Sequence, residues 1–268
     1  MNRNLLTKFS LLAIASLAFG FSALAQTAAT PAAAPAASAA ATPSSDQILD
    51  KYVNAIGGQA AWQKLNSRVS KGTIDIPAMG VSGTVEIHEK APDSMIAVVN
   101  VAGSVFERGF DGTVGWSDDP MNGQRTLSGA ELEDSKRQAD FYHQLDIRKH
   151  YSKLVVTGTE KVGDHDAYVI EATSASGDVD KMYFDTQSGL LVRAVTNIHS
   201  AQGPTVVEAE LTDYRDVDGI KLPYSVHQQT AQSSYTITFT EVHHNVPLAD
   251  SQFAKPAAEA PAAAPAAH

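Results

Sequence analysis

The chain has 268 residues, a formal net charge of −10, nine His and no Cys. Without Cys it has no disulfide framework, no Cys-ligated zinc site and no thiol nucleophile. The excess of acidic residues argues against a nucleic-acid partner, because the phosphate backbone repels a negatively charged surface.

The first 25 residues have the order of features that is typical of a signal peptide. Arg3 and Lys8 supply positive charge, an apolar run follows over Phe9–Phe21, and small residues precede a cleavage point after Ala25. The run is shorter than the roughly 20 residues that a membrane-spanning helix needs. We therefore predict a signal peptide over residues 1–25 and a soluble periplasmic protein after its removal.

Two low-complexity stretches flank the remaining chain. Residues 26–45 are almost wholly Ala, Pro, Thr and Ser, and residues 255–268 are mainly Ala and Pro. Such segments carry too few large apolar side chains to offset the entropy lost on ordering, and Pro interrupts an Ala-rich helix. We predict disordered tails, either spacers or unselected ends, around one folded domain of residues 46–254.

Two short helices are predicted at the start of this domain. The first has Asp46 as N-cap and ends at Gly57-Gly58. The second covers residues 59–65 and would pack Trp62 and Leu65 on a sheet. Apolar residues recur along one face of the first helix: Ile48, Leu49, Tyr52, Val53 and Ile56.

Strands make up most of the rest, because apolar and polar residues alternate with period two. Short turns with Gly, Pro or Asp separate them, and connections of that length favour antiparallel pairing. The predicted strands are residues 69–76, 81–88, 94–101, 105–110, 113–117, 154–161, 167–172, 181–185, 190–198, 206–214, 224–230 and 235–240.

A helical pattern interrupts the strands from Ser128 to Leu145. Ser128 would be its N-cap, and Glu131 would complete a capping box. A meander with one helix before it and another inserted midway indicates a strongly curved or barrel-like sheet with helices at one opening. Residues 94–101 are apolar on both faces, so one face lines a cavity or both are packed core.

Four local strings resemble exported proteins of the LolA-type superfamily of outer-membrane lipoprotein carriers. The strings are Ile48–Gly58, Tyr183–Arg193, Asp213–Pro223 and Asn245–Phe253. The resemblance implies an α+β, mostly β fold: an unclosed antiparallel half-barrel of about eleven strands, with helices covering its concave side. It also implies an apolar cavity that shelters acyl chains.

A ligand of that kind would need a wall of apolar and aromatic side chains. Met adapts to irregular ligands and Tyr adds a polar handle, although ordinary core is the more common role of any single such residue. The candidate ligand-binding residues are Val85, Ile87, Val99, Trp116, Phe141, Tyr168, Met182, Phe184, Tyr235 and Phe239.

No catalytic, metal or cofactor site is predicted. His143 and His150 lie seven residues apart, with the second beyond the helix, and His243 and His244 point to opposite faces of one strand. The acid pairs Asp118-Asp119 and Glu131 with Asp134 could bind calcium, but loops and the first turns of helices favour acidic residues anyway. The chain also lacks the Gly-x-Ser-x-Gly elbow of many hydrolases.

The sequence thus predicts a monomeric periplasmic binding or carrier protein for a lipid or a lipoprotein acyl chain, with at most peripheral membrane contact. A non-catalytic envelope sensor or assembly module that binds a protein partner is the alternative. A hydrolase is a third class, for which no converging site can be assembled from the sequence.

Overall fold

The computed structural model describes residues 42–257. The predicted signal peptide, residues 26–41 of the first tail and residues 258–268 of the second lie outside the described residues. In the described part of the chain, thirteen strands form one sheet: β1 (Ser67–Ile76), β2 (Val81–Lys90), β3 (Ser94–Val101), β4 (Ser104–Asp111), β5 (Gly115–Asp118), β6 (Arg125–Thr126), β7 (Tyr151–Val162), β8 (His165–Ser174), β9 (Val179–Asp185), β10 (Leu191–Ser200), β11 (Gly203–Val217), β12 (Ile220–Gln229) and β13 (Ser234–His244).

The sheet is antiparallel throughout and is not closed. Strands β1 to β6 run outward from its centre to one edge, and β7 to β13 return from the other edge, so that β1 pairs with β13. Strands β6 and β7 are the two edges. The predicted unclosed antiparallel half-barrel is therefore confirmed, with thirteen strands in place of about eleven.

Neighbouring backbones approach closely at two glycines of the concave face, Gly72 and Gly83. A Cβ atom at Gly72 would collide with the carbonyl oxygen of Thr238, and one at Gly83 would collide with that of Asn100. The register of β1 against β13 also shifts between Lys71 and Gly72, which marks a β-bulge. Both features are typical of places where neighbouring backbones approach closely and the regular pairing is interrupted.

Within residues 42–257, four helices accompany the sheet: α1 (Ser45–Ala55), α2 (Gln59–Trp62), α3 (Gly129–Ala139) and α4 (Ile147–His150). Two 3₁₀ turns cover Pro77–Met79 and Asp250–Gln252. The described helices include none with the length and apolar character of a membrane span.

The N-cap of α1 is Ser44, so the prediction of Asp46 is wrong. The Ser44 hydroxyl accepts a hydrogen bond from the Gln47 amide at 3.2 Å, and the Gln47 side chain accepts one from the Ser44 amide at 2.9 Å. This reciprocal capping box satisfies two backbone donors, whereas Asp46 lies within the helix and pairs with Arg148.

Helices α1 and α2 pack on the sheet and define its concave face. The Trp62 indole donates a hydrogen bond to the carbonyl of Ile56 at 3.1 Å. The side chains that form this main core are Ile48, Leu49, Tyr52, Ile56, Trp62, Leu65, Phe141, Ile170, Ala172, Met182, Phe184, Ile220 and Leu222.

Helix α3 is shorter than predicted. Ser128 is its N-cap, but the predicted capping box does not form, because the Glu131 carboxylate binds Arg125 instead. The helix ends at Ala139 because Asp140 turns to extended backbone and Phe141 is anchored, fully buried, with its amide donating to the carbonyl of Pro92 at 3.0 Å. The prediction of one helix to Leu145 is wrong.

After β13 the chain crosses to the convex face of the sheet. Lys90 on β2 donates a hydrogen bond to the carbonyl of Leu248 at 2.9 Å, and Phe253 is fully buried. Residues 246–257, named here the C-terminal strap, therefore contact part of the convex side of the β1–β6 half.

Candidate functional site

The pairing register shows which side chains share the concave face. Arg68 stacks near the rings of Trp62 and Phe141 and pairs with Glu89 on β2, which places both on the side of the helices. Because side chains alternate across a strand, every second residue from these positions points the same way. The strand-to-strand partners can then be followed across the sheet.

Two neighbouring rows of this face are apolar, and we call them the apolar rows. Their members do not belong to the packed clusters of buried residues. The first row runs Phe106, Val99, Val85, Gly72, Phe239 across β4, β3, β2, β1 and β13. The second runs Ser104, Val101, Gly83, Ile74, Ile237, Val226, Leu211 from β4 to β11.

Most side chains of the apolar rows are only half-buried. Val85 and Ile74 are buried, whereas Val99, Phe106 and Phe239 keep part of their surface exposed. Apolar area left facing the inside of a curved sheet is what an apolar ligand can cover, with a gain of about 25 cal/mol per Å². The concave face thus has a filled half under α1 and a half-open apolar half.

The predicted ligand-binding residues divide among three places: the concave face of the sheet, the main core and the convex face. On the concave face, Val85, Val99 and Phe239 lie in the apolar rows. Ile87 lies one row nearer the helices, and Tyr235 lies opposite Gln228. A second group lies in or against the main core: Phe141, Tyr168, Met182 and Phe184. The structure brings this second group together as packing under α1.

Trp116 lies on the other face of the sheet. It pairs with Gly109, one residue out of step with the concave Phe110, and its indole donates a hydrogen bond to the carbonyl of Phe253 at 2.8 Å. Its ring also fills the space that a Cβ at Gly109 would take. Trp116 is therefore covered by the C-terminal strap and does not line the concave side.

Helix α3 bridges the concave face through charged groups on both sides. On one side Glu131 accepts two hydrogen bonds from Arg125, both at 2.6 Å, and Arg108 donates to its backbone carbonyl at 3.2 Å. These contacts hold the pKa of Glu131 below its usual range, with the Arg125 hydrogen bonds as the main cause. On the other side Asp134 accepts hydrogen bonds from the amide and ring of His199 at 2.8 and 2.9 Å.

A buried ion pair lies on the concave face beside the main core. Arg68 donates two hydrogen bonds to Glu89, at 2.6 and 2.7 Å, and both side chains are more than nine-tenths buried. Burial by itself raises the pKa of Glu89, but the charge and hydrogen bonds of Arg68 outweigh it and leave that pKa below the usual range. Burial lowers the pKa of the adjacent His143.

A separate cleft of about 620 Å³ lies between α1 and the segment around α4. Its walls are mainly polar, and its charged residues already pair with each other: Arg148 binds Asp50, and Lys149 binds Asp146. The apolar rows, rather than this cleft, are therefore the candidate site for an apolar ligand.

The histidines serve the structure locally. The His143 ring lies 2.9 Å from the carbonyl of Asp140, His150 lies 2.9 Å from its carboxylate, and His244 lies 2.9 Å from that of Asp218. Across residues 42–257 no three His, Asp or Glu side chains converge as a metal site would require.

One part of the concave face is not predictable from the sequence pattern. Arg108, Ser117 and Arg125 stand side by side on β4, β5 and β6, in the row between the apolar rows and the main core. The signal in the sequence is weak, because β6 has two residues and no alternation to read. Only the strand register brings these three side chains together.

Two solved structures share this fold. A DUF1329 family protein from Desulfovibrio piger superposes with a TM-score of 0.52 at 15% identity, over 78% of this chain and 96% of that one. A LolA superfamily protein from Nitrosomonas europaea superposes with a TM-score of 0.51 at 14% identity, over 80% of this chain and 99% of that one. No protein-family profile and no curated protein sequence matches the chain.

Proposed function

We propose, starting from the LolA-like fold of this chain, that it is a non-catalytic binding or carrier protein for a lipid or another acyl-chain ligand. The observation that carries the proposal is the pair of apolar rows on the concave face. Those rows leave half-buried valine and phenylalanine side chains facing the inside of a curved sheet. The signal-peptide features of residues 1–25 support a periplasmic location.

The apolar rows suit a chain-like ligand. Adjacent strands lie about 4.8 Å apart, so the first row, which crosses four strand spacings from Phe106 to Phe239, measures about 19 Å along the sheet. That length is on the scale of a long acyl chain.

Binding of N-phenyl-1-naphthylamine, an uncharged apolar fluorophore, tests this proposal. Val99→Asp places a charge in the first apolar row and should weaken binding at least about tenfold, because a carboxylate is costly to bury beside an apolar ligand. Val105→Asp is the matched control, since Val105 lies on the convex face and is 44% exposed. It should change the affinity less than twofold.

Native mass spectrometry of the protein isolated from its own envelope gives a second test. We expect an adduct with the mass of a lipid. Absence of both an adduct and fluorophore binding would contradict the proposal. If a specific envelope protein then co-purified, the sensor or assembly alternative would take its place.

A further inference from the structure

We propose that Arg108, Ser117 and Arg125 form a site for the anionic head group, a carboxylate or phosphate, of the ligand that the apolar rows hold. The inference rests on the proposed function, because it assigns the polar end of the same ligand. It predicts that the ligand is an anionic amphiphile rather than a neutral apolar molecule.

The three residues form one cross-strand row on the concave face. Ser117 pairs with Arg108 on one side and with Arg125 on the other. Phe106, where the first apolar row begins, lies two residues from Arg108 on β4. A head group at the three polar residues would therefore leave its tail beside Phe106 and Val99.

The row has hydrogen-bonding groups that the protein itself does not satisfy. Ser117 is only 7% exposed, and its hydroxyl has no hydrogen-bond partner among the described residues. The Nε atoms of Arg108 and Arg125 are also buried without a partner in the described part of the chain. Buried polar groups are rarely left unpaired, so a ligand oxygen that reached Ser117 would remove an existing cost.

The row carries two positive charges, whereas one carboxylate, that of Glu131, contacts it. Arg125 takes both carboxylate oxygens of Glu131, whereas the nearest Arg108 nitrogen is 3.6 Å from the same carboxylate. Asp134 is the second carboxylate whose charge acts on Arg108, and it already binds His199 and Arg137. Arg108 thus has the weakest ionic partner of the group, and a quarter of its side chain is exposed.

Helix α3 begins beside this row. Its N-cap residue Ser128 makes no side-chain capping bond, and Glu131 in its first turn contacts both arginines. The start of a helix carries a partial positive charge that favours an anion. Two guanidinium groups, a free hydroxyl and this helix end are a donor set for one carboxylate or phosphate.

The test compares cis-parinaric acid with its methyl ester, two fluorescent probes with the same tail and a different head. In the full-length protein, Arg108→Met should weaken the acid about tenfold and the ester less than twofold. Arg193→Met is the control, because Arg193 is similarly exposed and pairs with carboxylates, those of Glu208 and Glu210, away from the proposed site. It should change neither affinity.

A second variant should act in the opposite direction. Glu131→Gln removes the carboxylate that competes for the arginines, so the acid should bind about threefold or more tighter while the ester is unchanged. A variant that merely damaged the fold would weaken both probes. Tighter binding of the acid alone therefore separates a head-group site from a structural role.

Three results would overturn the inference. Equal effects of Arg108→Met on acid and ester, or none on either, would remove the head-group site while leaving the proposed function intact. The protein could instead bind inorganic phosphate in calorimetry, lose that binding in Arg108→Met, and bind acid and ester equally. That result would assign the row to a free anion. Failure of both probes to bind would overturn the proposed function and the inference together.

Discussion

Arg68 and Glu89 pair across β1 and β2 on the concave face, where both are buried. Lys71 and Glu86 pair across the same two strands on the convex face, where both are exposed to water. The two pairs have the same cross-strand geometry but different surroundings. Removing one partner of a buried pair leaves an uncompensated charge, whereas an exposed pair is screened by water and contributes little.

Glu89→Gln should therefore lower the free energy of unfolding by about 3–5 kcal/mol. Glu86→Gln, the matched control on the exposed face, should lower it by less than about 1 kcal/mol. Urea unfolding of both variants at neutral pH measures the difference. Equal losses would mean that the Arg68–Glu89 pair contributes no more than a surface pair.

The same pair predicts a pH dependence. The pKa of Glu89 is lower in the folded protein than in the unfolded chain, so its contribution is complete above the ordinary Glu pKa of about 4.3. The contribution is lost as the pH falls through the lower, folded-state pKa. Glu89→Gln should accordingly lose less stability than the parent between pH 5 and pH 3, as measured by urea unfolding midpoints.

The C-terminal strap is the element whose importance the sequence shows least. Its residue Phe253 is fully buried and accepts the hydrogen bond of Trp116 through its carbonyl. The strap has no strand or long helix, only a 3₁₀ turn. Its attachment depends on a few side chains, and Phe253 is the largest of those that it buries.

Phe253→Ala should cost about 3–5 kcal/mol, because it removes a large buried side chain and leaves a cavity. The chain has two Trp, so a Trp62→Phe background makes fluorescence report on Trp116 alone. We expect a red-shifted Trp116 emission and an earlier urea midpoint. Met121→Ala, at an 80% exposed side chain, is the control and should leave both unchanged.

Elements with a strong local pattern could be predicted from the sequence. Alternation and turn signals together identified twelve of the thirteen strands in the described residues, and the predicted bounds of β3 match the observed ones. The end of α3 could not be predicted, because it depends on the burial of Phe141 against a distant turn. The face of Trp116 and the Arg108 row depend on the pairing register, which a local pattern does not contain.

At the scale of the whole domain, the pairing of β1 with β13 joins the two halves of the sheet. Thr73 and Thr238 are partners there and are both exposed. Because the chain has no Cys, Thr73→Cys with Thr238→Cys should form a single disulfide. The oxidised protein should be about 2–4 kcal/mol more stable than the same protein reduced, by urea unfolding. Failure to cross-link in the folded state would contradict the strand order.

The strand order also sets a sequence of events during folding. Within each half, every strand pairs with its neighbour along the chain, so these hairpins have short loops and low contact order. The pairing of β1 with β13 joins segments about as far apart as the domain allows, and its loop-closure entropy is the largest in the sheet. The two halves can therefore form early, whereas the pairing of β1 with β13 can form only after β13, the last strand of the chain, is available.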